Sequence, residues 1–532
     1  MSWNKLDLTW HYVEKWAAET PGSEALVFGG ERKSWLDFKN EMDLVAKAYI
    51  AAGVEKGDRV AMLSMARNEF LTTYMAAGKA GAMWLGLSPK FTAEELEYQV
   101  GDSKPKVLIT LREYMGEDLA PKVRALMDKF SFINKVLVIG EPFEGAESFG
   151  DFIAAQGGSG DDALAERAAG VVETDNALLL YTSGSTGKPK GVVHTHRAIV
   201  ENIRVEVPNF HFEQTSRALL HFPINHVAAD VEIGFGIIMA GGCIVCMERF
   251  DPALSLRLIE EEKITIFGQV PVMYLLEMKM PEFKTTDFSS LKQIIWGGAA
   301  APEPMIKALA AISEKTGAGM ITGYGSTEIC GFITYTKSGD SIERLMKSVG
   351  PVAQGFEVRI VDDNRREVPR GTVGELACRG PFLMKEYLNR PDATAEVFDS
   401  DGWFYTSDLA YMDEEDYIYL TGRKSEMFKT GGENVFPREI EDVLEKHPDV
   451  VYASVVSVPD DIFQEVGWAF IMKKPGVEID PGELRELCKS KLANFKVPKK
   501  FIIRDSIPLL GTGKVNKREL KSEAKRIMEQ GG

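Results

Sequence analysis

Tyr181-Thr182-Ser183-Gly184-Ser185-Thr186-Gly187-Lys188-Pro189-Lys190-Gly191 packs three glycines, four Ser or Thr side chains and two lysines into eleven positions. Glycine lets backbone N–H groups close on an anion, and the lysines add positive charge. A Gly/Ser cluster alone reads as a surface turn, but two lysines inside it favour a phosphate-binding loop. It is not a Walker A motif, which needs Gly, four residues, then Gly-Lys-Ser/Thr. Thr182 stands where the first Gly should be, and Pro189 follows Lys188. Gly323-Tyr324-Gly325-Ser326-Thr327-Glu328 nearly matches a dinucleotide-binding turn, with Glu328 in place of the third Gly. A carboxylate there repels a pyrophosphate unless a hard cation lies between them.

Other candidates are single residues at the ends of apolar runs. His226 follows Arg217-Ala218-Leu219-Leu220-His221-Phe222-Pro223, at an edge where α/β folds place ligands. Asp408 and Arg423 offer an acceptor and donors that suit sugar hydroxyls. Lys514 sits behind Gly511-Thr512-Gly513, a glycine-flanked tip. A lysine on a late loop is ordinarily just a solvated charge.

These residues need strands to hold them. Ala177-Leu178-Leu179-Leu180-Tyr181 reads as a buried strand feeding the first loop, and Met320-Ile321-Thr322 as a strand feeding the second. Gln293-Ile294-Ile295-Trp296 is a strand that runs into Gly297-Gly298-Ala299-Ala300. Upstream, Ser34 is an N-cap for a helix carried by Phe38, Met42, Val45, Ala46 and Ile50 and stopped by Gly53. After the Gly57-Asp58 turn, Arg59 to Leu63 reads as a strand. This alternation predicts a layered, mostly parallel α/β architecture. Asp151 to Ala169, rich in Gly, Ala, Ser and Asp, reads as a surface connection. After Arg423 the composition changes: Lys429 to Asn434 is a turn-rich hairpin, and Pro437 starts a helix.

At 532 residues the chain is too long for one core. Its net charge of −17 excludes a general nucleic-acid or anionic-surface binder. Residues 423–532 hold 20 Lys and Arg against 18 Asp and Glu, a net of +2, which leaves −19 for the rest. Five cysteines make no disulfide framework; Cys243 and Cys246 read as core thiols, and His194 with His196 lacks a third metal ligand. No signal-peptide layout opens the chain and no apolar run of 18 residues crosses it, so a cytoplasmic protein without an integral membrane segment is expected.

The eleven-residue loop resembles, without a gap, the phosphate loop of the adenylate-forming superfamily: acyl-CoA synthetases, peptide-synthetase adenylation domains and luciferases. The resemblance spans roughly residues 10–525. It implies a large N-terminal domain of several subdomains, residues 1–422, with layered sheets and helices. It also implies a small mobile α+β lid, residues 423–532, that hinges at Ser425, where many members carry Asp or Lys. Thr182, Ser183, Gly184, Ser185, Thr186, Gly187, Lys188 and Lys190 would cradle the ATP phosphates. Gly298, Ala299, Ala300, Gly323, Tyr324, Gly325 and Ser326 would border adenine, with Asp408 and Arg423 on the ribose. Thr327 would contact the α-phosphate, Glu328 would hold Mg²⁺, and Lys514 would be the catalytic lysine. His226, Val227, Asp230, Trp296, Gly298, Gly331 and Phe332 would line the acyl pocket, His226 beside the carboxylate; Trp296 is weighed against a place in the core. Lys429, Gly431 and Gly432 would admit coenzyme A.

The expected function is therefore an ATP-dependent ligase that joins an apolar or aromatic carboxylic acid to coenzyme A through an acyl-adenylate. An adenylation enzyme loading a carrier protein is the main alternative. For amino acids it needs an anionic pocket residue, and Asp230 and Glu232 do not sit where such relatives place theirs. A luciferase-like oxygenase and a nucleotide sensor stand further back. A homodimer is the assembly held open.

Overall fold

The computed structural model describes residues 6–158, 160–182, 188–510 and 514–530. Two eight-stranded sheets carry the first part of the chain. One orders its strands Gly331–Tyr335, Gly319–Ser326, Gln293–Trp296, Ile266–Gln269, Arg217–Leu220, Cys243–Cys246, Glu24–Phe28 and Glu31–Ser34. Its interior pairs are parallel, and the strands at both edges are antiparallel. The other is built around Asn176–Thr182, Met83–Leu87, Arg59–Leu63, Val107–Leu111 and Lys135–Ile139, all paired in parallel. Buried parallel strands read as continuous apolar runs. Leu178, Leu179 and Leu180 bear this out, none more than 1% exposed.

Both sheets and the helices Trp35–Ala51, Asn68–Lys79 and His196–Asn209 share one core, in which Phe38, Phe70, Trp84, Ile203 and Ile244 are packed. The first of these helices begins as expected. Asp37 N–H donates to Ser34 Oγ at 3.1 Å and Ser34 N–H donates to Asp37 Oδ2 at 3.0 Å, a reciprocal capping box. Gly53, at φ 80°, follows its end. The five cysteines are free and buried.

Asp151 to Ala169 departs from the expected connection: it forms the end of helix Phe149–Ala154 and the whole of helix Asp161–Ala169. Alanine is the strongest helix former, and Ala163, Ala165, Ala168 and Ala169 outweigh the polar look of the stretch. Leu164 seats that helix in the core.

A four-stranded antiparallel sheet follows: Glu357–Val361, Gly374–Arg379, Phe404–Met412 and Ile418–Arg423. Beyond a turn at 424–426 the chain enters a five-stranded sheet with the helices Pro437–Leu444, Pro481–Lys491 and Lys517–Glu529, an α+β unit. Among the described residues no helix is long and apolar enough to cross a membrane.

Candidate functional site

Strand Asn176–Thr182 pairs antiparallel with strand Lys190–Thr195, with Thr182 opposite Lys190. Ser183, Gly184, Ser185, Thr186 and Gly187 lie outside the described residues. Lys188 Nζ stands 5.5 Å from the Tyr98 ring centroid and Lys190 Nζ 4.0 Å from that of Tyr387. Tyr387 also donates its hydroxyl to Glu328 Oε1 at 3.0 Å. One tyrosine therefore bridges the loop lysine and the acidic residue of the second motif.

The second motif is a hairpin. Strand Gly319–Ser326 pairs with Gly331–Tyr335, and Thr327–Ile329 makes a 3₁₀ turn between them. His194 Nε2 lies 2.7 Å from the Thr327 carbonyl oxygen, so that histidine braces the turn. Burial pushes its pKa down to about 4. Gly323 and Gly325 have a structural reason to be glycine. A Cβ on Gly323 would stand 2.0 Å from the Thr334 carbonyl oxygen, and one on Gly325 2.1 Å from that of Gly331.

Asp408 is the hub of the next group. Tyr324 donates its hydroxyl to Asp408 Oδ2 at 2.5 Å, and Arg423 Nε lies 2.9 Å from Oδ1. Asp408 and Arg423 face each other across neighbouring strands. Asp408 holds the Arg423 pKa above its ordinary value, and burial with Asp408 beside it raises that of Tyr324. Each carboxylate oxygen accepts more than one hydrogen bond, so Asp408 retains capacity for a ligand hydroxyl.

Lys514 reaches this group from the α+β unit. Its Cε would be 3.1 Å from a Cβ on Gly298, which adopts φ +77°. Burial and then Arg423 lower the Lys514 pKa, while Glu232, Asp408 and Glu328 pull it back up. His226 completes the cluster. Its Nδ1 accepts from the Ala228 N–H at 3.1 Å, which leaves Nε2 as the protonated nitrogen of the neutral ring. Burial and then Lys514 depress the His226 pKa to about 3. The ring is neutral at physiological pH and presents a donor.

Gly298 and Ala299 are exposed and Gly297 and Ala300 half-buried, directly after strand Gln293–Trp296. Gly297 lies under Phe332, whose Cζ is 2.4 Å from where a Cβ would be. Val227 and Phe332 belong to the main core at its edge, and Gly331 takes φ 138°. Trp296 needs correction. Side chains alternate along a strand. Ile295 therefore faces the side of Val270 and Phe332, and Trp296 points to the opposite core with Phe267, Tyr274 and Met305. Asp230 is wholly buried, and among the described residues neither carboxyl oxygen has a hydrogen-bond partner.

Lys429 and Gly432 are exposed on the hairpin Phe428–Thr430/Glu433–Val435, and the Gly431 N–H between them donates to the Phe463 carbonyl at 2.9 Å. Among the described residues no hydrogen bond or ion pair ties them to Lys514, Asp408 or Glu328. Ser425 is exposed in the turn that follows Arg423, whose carbonyl accepts from the N–H groups of Glu426 and Met427.

Sequence reasoning missed Tyr387, Glu206 and Asn202. Tyr387 arrives through a two-residue strand paired with Lys190–Thr195, for which no local signal exists. Asn202 and Glu206 did leave one. They sit four apart among Ile199, Ile203 and Val207, polar residues on the apolar face of a helix.

For a divalent cation the donor set fits. Mg²⁺ is typically held by one or two carboxylates together with substrate phosphates and water. Glu328 is half-buried and shares Tyr387 with Lys190, and its Oε2 has no protein hydrogen bond among the described residues. No group of three His, Cys, Asp or Glu among them is placed to hold a metal without substrate.

The chain matches the AMP-binding enzyme family over residues 13–388 and the AMP-binding enzyme C-terminal domain over residues 439–514. A feruloyl-CoA synthase of Amycolatopsis is 32% identical, covering 95% of this chain and 96% of its own. An indoleacetate–CoA ligase of Aromatoleum aromaticum is 30% identical over 98% of this chain and 99% of its own. The crystal structure of the anthranilate CoA ligase AuaEII with anthranoyl-AMP superimposes with a TM-score of 0.87 at 26% identity, covering 97% of each chain.

Proposed function

The chain belongs to the AMP-binding enzyme family, as an adenylate-forming, AMP-forming acid–CoA ligase, and on that premise we propose which residues run the two half-reactions. The observation that most supports the proposal is that Lys514 lies against Gly298 and within electrostatic reach of His226, Asp408, Arg423 and Glu328.

A carboxylate lacks a good leaving group. In the first half-reaction its oxygen attacks the α-phosphorus of ATP, the bond to the β-phosphate oxygen breaks, and pyrophosphate departs. The protein's task is positioning and charge stabilisation. The Lys514 ammonium sits between carboxylate and α-phosphate and offsets the negative charge gathering there. The His226 Nε2–H donates to the carboxylate without adding charge. Asp408, oriented by Tyr324 and Arg423, accepts from the ribose hydroxyls. Thr182, Lys188 and Lys190 meet the leaving phosphates, with Ser183 to Gly187 completing the loop. Thr327 addresses the α-phosphate from its turn. Glu328, held in place by Tyr387, would hold a magnesium ion, which would supply charge neutralisation of the phosphates. In the second half-reaction the thiol sulfur of coenzyme A attacks the acyl carbon, the bond to AMP breaks, and the thioester forms. The exposed hairpin at Lys429, Gly431 and Gly432 admits the thiol arm once residues 423–532 turn about Ser425.

The apolar side chains of Val227, Val270 and Phe332 suit an aliphatic or aromatic acid body. The test is a panel of such acids, with pyrophosphate release measured with ATP and Mg²⁺ and thioester measured after adding coenzyme A. Pyrophosphate release that never depends on an added acid would sink the assignment. Thioester formation with coenzyme A, faster than with a phosphopantetheinylated carrier protein, separates this reading from a carrier-loading enzyme.

A further inference from the structure

The acid side of the cleft is not uniformly apolar. Glu232 lies on the π-helical turn Ala228–Phe235, half-buried and within electrostatic reach of Lys514. Glu206, from helix His196–Asn209, is fully buried within electrostatic reach of Glu232, and Asp230, on the same turn as Glu232, is fully buried as well. Cys330 lies within electrostatic reach of all three carboxyls.

Their partners are few. Glu206 Oε2 accepts from the Phe332 N–H at 3.3 Å and the Tyr335 hydroxyl at 3.5 Å. Among the described residues, Glu206 Oε1, both Asp230 oxygens and Asn202 Oδ1 have no hydrogen-bond partner. Asn202 spends its N–H₂ on the carbonyls of Ile329 and Phe332, at 3.1 and 3.3 Å. Its bare oxygen therefore points elsewhere, to 2.8 Å from where a Gly331 Cβ would stand, with Glu206 Oε2 at 3.1 Å from that point. Among the described residues no Lys, Arg or His pairs with any of the three carboxyls within salt-bridge distance. Nor do they form part of a metal-holding group.

Proteins seldom keep buried polar atoms unpaired. Leaving one so is costly, more when charged. Here the Glu206 carboxyl, with one oxygen unpartnered, and the unpartnered oxygen of Asn202 gather by Gly331, within electrostatic reach of one accessible carboxyl and beside the position assigned to the acyl group. Such a wall rewards a ligand that brings N–H or O–H groups and penalises one that brings only hydrocarbon. The nearby apolar side chains, Val270 and Phe332, still take the rest of the molecule.

Resting on the acid–CoA ligase assignment above, we propose that the acid this enzyme activates carries an amino or hydroxyl group on the part of its body that passes Glu232. The group donates a hydrogen bond to Glu232, backed by the Glu206 carboxyl and the unpartnered oxygen of Asn202 beside Gly331.

The test uses matched acids that differ only by a methyl in place of the donor. Examples are aminobenzoates against toluates, hydroxyphenylacetates against methylphenylacetates, and 6-aminohexanoate against heptanoate. With the full chain, ATP and Mg²⁺, kcat/KM for acid-dependent pyrophosphate release is expected to favour the donor-bearing member of at least one pair by ten-fold or more. Glu232→Leu, which removes the accessible acceptor at similar volume, is expected to cut that ratio at least ten-fold. The wild-type ratio stands on its own if the variant does not fold. If acids turn over but the methyl member equals or beats its partner in every pair, the proposal is overturned. An unchanged ratio in folded Glu232→Leu overturns it as well. If the chain binds ATP and no acid releases pyrophosphate, the ligase assignment itself has failed, and the proposal falls with it.

Discussion

The two sides of the cleft are built on opposite plans. On the nucleotide side the charged groups are already matched: Asp408 holds Tyr324 and Arg423, and Glu328 holds Tyr387, which in turn carries Lys190 on its ring. On the proposed acid side Asp230, Glu206 and Asn202 keep oxygens that have no hydrogen-bond partner among the described residues. A matched group is preorganised and serves one ligand well. An unmatched one holds its place only if a ligand or a proton completes it. One side thus receives a constant molecule, and the other is set by a particular substrate.

Lys514 belongs to neither side and should matter most. Lys514→Ala is expected to slow acyl-adenylate formation by about 10²–10³-fold, the scale for losing one preorganised charge partner. Conversion of supplied acyl-adenylate to thioester should fall far less. Equal losses in both steps, assayed separately, would remove Lys514 from the first half-reaction. Its depressed pKa adds a pH signature. Adenylation should decline as pH rises through that value, at a lower pH than an ordinary lysine of about 10.4 would give.

Next in size is Asp408→Ala, which strips the matched side of its hub and leaves the buried Tyr324 hydroxyl unpaired. Such an orphan costs about 1–3 kcal/mol. ATP should bind roughly ten-fold more weakly or worse by calorimetry, with the preference among acids preserved. A changed acid preference would break the division between the two sides.

A smaller effect is expected from Tyr387→Phe, which removes the donor to Glu328 and keeps the ring under Lys190. One hydrogen bond nets about 0.5–1.5 kcal/mol, so the half-saturating Mg²⁺ concentration should rise a few-fold. An unmoved Mg²⁺ titration would separate Glu328 from the metal. Smallest in the first half-reaction is Gly431→Asn. Gly431 sits at φ +59°, which Asn tolerates. Pyrophosphate release should persist while the KM for coenzyme A rises; an unaltered KM would move the thiol path elsewhere.

The same division explains what could be read in the chain before folding. The proposed nucleotide side draws on contiguous motifs: the loop at 181–191, the run at 323–328, and Asp408 and Arg423. Local reasoning has the 323–328 run follow a strand, whereas Gly323 to Ser326 belong to strand Gly319–Ser326, and it sets Asp408 at a strand end, whereas Asp408 lies in the middle of Phe404–Met412. The partners that hold those motifs came from afar. Tyr387 enters through strand pairing to Val192, and no local pattern encodes a register between distant strands. Trp296 was misjudged because a four-residue apolar strand buried on both faces does not announce which face meets a pocket. The acid side was legible only as an anomaly. Asp230 and Glu232 stand in an otherwise apolar run, and the π-helical winding that sets their directions has no sequence signature of its own.

The hairpin glycines bear on how such an enzyme can be altered. At Gly323 and Gly325 any side chain would strike a carbonyl oxygen about 2 Å away on the facing strand. No substitution there can retune recognition of the nucleotide without opening the hairpin. Mutational drift and directed evolution are both closed out of these two sites. Glu232, on the turn at Ala228–Phe235, already carries a half-buried side chain, so a change there forces no new Cβ against a carbonyl. Variants selected for new acids should therefore accumulate changes at 232 and its neighbours while their appetite for ATP stays fixed.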